Sequence, residues 1–137
     1  MTITPAEAAL LPLSDDDAIL ERVDDLIGAA CGRAVWMIFL DDRDIQLPVL
    51  IPVDGYPALP GDDVGELAHL VGATAEMAEA ASVVLVWERE GGSRSTAADR
   101  AWAKAAALGL ARRDVALRGQ LISHDGGVRW FAPDDYL

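Results

Sequence analysis

Cysteine is almost absent from this 137-residue chain, where Cys31 stands alone. One thiol excludes an internal disulfide, so nothing ties the fold to an oxidising compartment. The first thirteen residues hold Glu7 but no Lys or Arg, and a segment without a basic start does not read as a signal peptide. Long apolar runs are missing too. The longest, at 34–40 and 80–87, fall far below the roughly 20 residues a membrane span requires. No internal repeat or low-complexity segment is visible. These absences lead us to expect a soluble cytoplasmic protein with no membrane partner.

What is present is an ordinary globular composition, 52% hydrophobic and 25% charged, in a length that suits one domain with a real core. The net charge of −12 is unevenly placed. Residues 1–91 carry 18 acids and 4 bases, whereas residues 92–137 carry 5 acids and 7 bases. A strongly negative field opposes a phosphate backbone, so nucleic acid is not an expected partner. The basic end invites contact with an acidic surface, that of a partner protein or a second copy.

Residues 1–13, with Pro5 and Pro12, read as a loosely ordered lead-in, and 14–137 as a single domain. The stretch "SDDDAILERVDDLIGAACGR" predicts a helix over 14–31, with Ser14 as N-cap and Asp15 and Asp16 at the positive end of the dipole. Ile19, Leu20, Val23, Leu26 and Ile27 form its apolar face, and Gly32 is the expected stop. "AVWMIFLD" is too uniformly apolar for a half-exposed strand and predicts a buried central one. "IQLPVLIPV" is a strand that Pro48 and Pro52 push to a sheet edge. A helix follows over about 64–81, then the buried strand "SVVLVWE" and the Ala/Leu-rich helix "TAADRAWAKAAALGLARR". "VALRGQLIS" and "GVRWFA" flank "HDGG", a tight-hairpin signal. Trp36 and Trp102 are the tryptophans assigned to the core. The expected fold is α/β of the α+β type, a mixed sheet flanked by helices.

In that order, the chain resembles the RadC-like JAB/MPN (JAMM) metalloprotease domain family from about Gly32 to Leu137. "GRAVWMIFLDDRD" resembles the family's opening strand, and "VDGYPALPGDDVGELAHLV" its "Gly-Thr" loop and helix. "ASVVLVWEREGGSRSTAADRAW" resembles the strand, "HNHPSG" loop and Ser-x-x-Asp helix start of the metal site. "DVALRGQLISHDGGVRWFAPDDYL" resembles the closing hairpin. The resemblance implies a cytidine deaminase-like three-layer arrangement. It also implies a zinc held by two histidines and an aspartate, with a glutamate as base to the bound water.

Counting back from Asp99 puts Thr96 on the family's serine, the histidines on Val86 and Glu88, and the glutamate on Ala34. Val86 cannot bind a metal and Ala34 cannot move a proton. Glu88 with Asp99 is a carboxylate pair, suited at most to a weakly held, hydrated magnesium or calcium. No catalytic residue, metal or other cofactor is therefore expected. Thr96 and Asp99 have a structural reason to remain, because Thr-x-x-Asp caps a helix. His69 reads as a surface residue, His124 as a turn residue and Cys31 as a small, mostly buried side chain. The resemblance implies a non-catalytic domain that binds another protein or itself. Two alternatives stand beside it: a small-molecule or peptide binder whose old cleft is lined by Trp87, Glu88 and Arg89, and a metal-dependent hydrolase with a rearranged site. Association is expected to use Arg118 or Arg129, projecting from the closing hairpin.

Overall fold

A computed structural model describes residues 11–136; most of the expected lead-in, residues 1–10, lies outside them, as does Leu137. The elements follow the order read from the sequence. They are α1 (Asp16–Leu26), β1 (Ala34–Leu40), β2 (Gln46–Asp54), α2 (Asp63–Ala78), β3 (Ser82–Glu88), α3 (Ala97–Ala111), β4 (Leu117–His124) and β5 (Gly127–Trp130), with a short 3₁₀ turn at Pro133–Asp135. The five strands form one mixed sheet in the order β2-β1-β3-β4-β5. Only β3 and β4 run parallel; the other neighbours are antiparallel. The chain is thus a small single domain of the α+β class.

Burial explains the strand sequences. β1 and β3 have a neighbour on each side and helices above and below, so they are apolar at nearly every position. β2 lies at the edge expected from Pro48 and Pro52. Its Leu47, Val49, Ile51 and Val53 pack on the core, while Pro48, Leu50, Pro52 and Asp54 are exposed. That period of two is what a half-covered strand requires.

The sheet separates two apolar layers. On one face Val35, Met37, Phe39, Val83, Leu85, Trp87 and Ile122 meet Leu67, Ala68 and Val71 of α2 and Trp102, Ala103, Ala106 and Leu110 of α3. On the other, Ile38, Leu40, Val84, Val86 and Leu121 meet Ile19 and Val23 of α1. Leu13, placed in the lead-in by sequence, belongs to this second layer; it is buried, and its N–H donates to the Asp44 carbonyl at 2.7 Å.

α1 departs from the sequence reading at both ends. Its N-cap is Asp15, not Ser14, and the Asp15 carboxylate accepts from Ala18 N at 2.8 Å. It stops at Leu26, well short of 31, because Gly28 takes a left-handed conformation (φ 65°) and residues 28–30 are then tied to β4. Ser123 Oγ donates to Gly28 O at 2.6 Å, and Ala30 N to His124 O at 2.9 Å. The early stop leaves Leu26 exposed rather than on the apolar face.

Candidate functional site

β2, β3 and β4 all point their C-terminal ends at the same end of the sheet. Crevices at such ends are where α/β folds place ligands. Gathered there are the end of β3 with Glu88 and Arg89, the start of α3 with Thr96 and Asp99, the loop after β2 with Tyr56, and the turn before β1.

Alternation along β3 decides what these side chains can do. Val86 and Glu88 face the α1 layer, whereas Trp87 and Arg89 face α3. Glu88 and Asp99 consequently lie on opposite sides of the sheet and form no carboxylate pair. Glu88 Oε2 accepts from the N–H groups of Cys31 (2.7 Å) and Gly32 (3.1 Å), and its Oε1 accepts from Trp36 Nε1 (3.0 Å). Its role is to hold the turn that leads into β1.

Asp99 meets Arg89. Arg89 Nη2 lies 2.8 Å from Asp99 Oδ2, and Nε lies 3.2 Å from each carboxylate oxygen. The two side chains are 6% and 7% exposed. Oδ2 also accepts from Thr96 N at 2.8 Å, and Thr96 Oγ1 accepts from Asp99 N at 3.0 Å. The capping box read from the sequence is therefore formed. Burial disfavours the Asp99 carboxylate, but the Arg89 hydrogen bonds, the Thr96 N–H and the guanidinium charge outweigh it and hold the carboxyl below its ordinary value.

The rest of the Arg89 fork ties down the loop between β3 and α3. Nη1 donates to Gly92 O at 2.6 Å and Nη2 to Arg94 O at 2.9 Å. Arg129 Nη1 takes Ser93 O at 3.0 Å, and Arg100 Nη1 takes Ser95 O at 2.7 Å. Four consecutive carbonyls thus accept from three arginines. A planar guanidinium with fixed donors suits such a cradle better than an ammonium.

Around this cluster the aromatic rings close the core. Tyr56 packs edge-on against Trp87 and Trp102, with centroids at 5.2 and 5.7 Å. Its hydroxyl donates to Glu88 O at 3.2 Å, and the Arg33 guanidinium lies 3.9 Å from its ring centroid. Burial pushes the Tyr56 phenol up to about 12, with Arg33 opposing the shift. Trp102 Nε1 donates to Pro57 O at 2.7 Å, fixing the same loop to α3. Tyr56 and Arg33 carried no sequence signal of this role, since their partners are distant in the chain.

Trp87 and Arg89, expected to line an open cleft, are 1% and 5% exposed. They fill the site instead of lining it. Trp87 Nε1 donates to Gln120 Oε1 at 2.7 Å, and Gln120 Nε2 to Ala103 O at 2.9 Å. Ala34 and Val86 are both buried, Val86 in the α1 layer. His124, expected in the turn, is the last residue of β4, with its Nδ1 accepting from Gly126 N of the turn at 3.1 Å, and His69 is exposed. Cys31 is exposed rather than buried. Arg118 is ion-paired with Asp16 at 2.6 Å, and Arg129 is bound to Ser93 O and Trp130 O. Both are half-buried, and part of their bonding capacity is used within the chain.

These donors do not fit a zinc ion. The carboxylate of Asp99 is taken by a guanidinium, that of Glu88 by three N–H groups on the opposite face, and the remaining positions are Val86 and Ala34. Among the described residues no group of three or more His, Cys, Asp or Glu side chains is placed to hold a metal. None of their helices is long and apolar enough to cross a membrane. No protein-family model matches the chain, and no curated protein matches it.

Proposed function

We propose that the chain is a non-catalytic domain of JAB/MPN type, akin to the RadC family, that acts as a protein-interaction or scaffold module. One observation carries the reading: the carboxylate of Asp99 is neutralised by Arg89, a cation supplied by the chain itself. An ion pair this buried and this fully hydrogen-bonded holds structure, and it leaves no open position for a water or a substrate oxygen. The order of elements and the Thr96–Asp99 capping box support the assignment of type. The burial of Trp87 and Arg89 disfavours a ligand in that cleft, and no side chain at the site favours a hydrolase.

The module acts in the cytoplasm through a protein partner or a second copy. Large apolar side chains stand well exposed at Leu59, Met77 and Leu108, and both sheet edges carry an outer strand, β2 and β5. The prolines of β2 remove N–H donors from one edge, whereas β5 contains none.

The test has two arms. Elemental analysis of protein purified without chelator gives no stoichiometric zinc, and no zinc-dependent peptidase or isopeptidase activity is found. About one zinc per chain, removed together with an activity, overturns the non-catalytic reading. In the second arm, sedimentation from 0.01 to 0.1 M salt, over which screening shortens from about 30 to about 10 Å, reports self-association. A monomer at every concentration and salt overturns the self-association branch and leaves a separate partner. Arg118→Glu and Arg129→Glu are poor interface probes by themselves, because each also removes contacts within the chain, to Asp16 and to Ser93 O and Trp130 O.

A further inference from the structure

At the opposite end of the sheet from Asp99 lies a cavity of about 480 Å³ between the end of α2 and the turn from α3 into β4. That volume is in the range of small-ligand pockets. Its walls are made mostly of small side chains, and Gly72 in the middle of α2 opens it: a Cβ there would meet only Arg113 Cδ and Val115 Cγ2, each at 3.8 Å.

Charges of both signs line this hollow without neutralising one another. Arg113 stands on one side, its Nη1 3.5 Å from His69 Nδ1, and Glu76, Glu79 and Asp114 are the acids; all four charged residues are exposed at the rim of the hollow. The ion pairs among the described residues are Arg89–Asp99 and Arg118–Asp16, so none of these four takes part in one. The two helix ends add their own field. α2 ends at Ala78 and α3 at Ala111, so the negative ends of both dipoles face this region and favour cationic groups, and Arg113 is the positive charge that lets a carboxylate bind there.

We propose that this cavity binds a small amino-acid zwitterion with an extra positive charge, its carboxylate on Arg113 and its ammonium groups toward Glu76, Glu79 and Asp114. A molecule carrying both charges satisfies both sides of the hollow. The surplus of acid selects for a basic side chain. Charge-assisted hydrogen bonds to a guanidinium and to carboxylates supply the recognition, and the chain's net negative charge raises the local concentration of such a ligand.

The test is a titration of the full-length protein with L-lysine at constant ionic strength, read by amide chemical shifts. Cadaverine, which is lysine without its carboxylate, is the comparison. The expected result is a saturable shift confined to residues 72–82 and 113–116, with cadaverine weaker by roughly tenfold, the loss of one charged hydrogen bond. Arg113→Gln brings lysine down to the level of cadaverine. Gly72→Leu fills the hollow and abolishes both responses while the rest of the spectrum keeps its native dispersion. The proposal is overturned by shifts that do not saturate, by shifts spread over the acidic surface, or by equal binding of lysine and cadaverine. Because the cavity lies far from Asp99, none of these outcomes bears on the interaction reading above.

Discussion

Arg89 and Asp99 face each other across the start of α3 with Nη2 and Oδ2 2.8 Å apart, and one guanidinium holds both the carboxylate and two carbonyls of the preceding loop. The cap of the helix, the path of the loop and the charge balance of the site depend on this one pair.

Removing either partner leaves the other buried and uncompensated. Arg89→Ala should lower stability by about 3–5 kcal/mol. Arg89→Lys should recover little, since one ammonium cannot reach Asp99, Gly92 O and Arg94 O together. The double variant Arg89→Met/Asp99→Asn should lose less than the sum of the singles. Urea denaturation of the parent, Arg89→Met, Asp99→Asn and the double gives the coupling, and additive losses would show that the pair does not act as a unit.

The acid limb of stability carries the signature of Asp99. Its folded value is lowered from 3.8, so below that value the unfolded chain binds the proton first, and stability falls as pH falls through the folded value. The contribution is fully present above about pH 4–5. Asp99→Asn should flatten this part of the profile between pH 5 and 2. Parallel curves for parent and variant would contradict the assignment.

Tyr56 gives the alkaline counterpart. With its phenol raised from 10.0 to about 12, the native state keeps a proton that the unfolded state has lost, and stability falls across that interval. Two units correspond to about 3 kcal/mol at most. Tyr56→Phe should be less stable than the parent near neutrality by about 1 kcal/mol, for the lost bond to Glu88 O, and should close that gap above pH 10. A gap that stays constant to pH 11.5 would show that the hydroxyl is not buried.

Thr96→Ala should lower the free energy of unfolding by about 1 kcal/mol, and Thr96→Ser should be nearly silent, because only the hydroxyl that accepts from Asp99 N matters. An alanine variant with an unchanged denaturation midpoint would mean that α3 starts elsewhere.

Two glycine substitutions should have opposite signs. At Gly119 a Cβ would lie 2.5 Å from Trp130 Cζ3, so Gly119→Ala must push the indole off the strand and away from its bond to Asp16 O. A loss of about 1–3 kcal/mol and a red-shifted tryptophan emission are expected. Gly72→Ala meets only ordinary contacts inside a helix and should gain about 0.5–1 kcal/mol. Thermal denaturation of both variants decides.

Much of this protein was legible in local sequence. The uniform apolarity of "AVWMIFL" and "SVVLVW" marked the central strands. Pro48 and Pro52 marked the edge, and Thr-x-x-Asp marked the start of α3. Each of these signals acts within a few residues, through hydrogen bonds or burial that a short segment defines by itself. Tertiary structure decided the site. Counting along the chain assigned Val86 and Glu88 to the company of Asp99. Which face of β3 looks at α3 is set by where the helix packs, and the period of two then hands that face to Trp87 and Arg89. Glu88 finds its partners at Cys31, Gly32 and Trp36, more than fifty residues away. α1 ends early for the same reason: Gly28 and Ala30 are claimed by β4. A sequence records which side chains alternate and which residues can cap; only the folded packing chooses the partner that each buried charge must find.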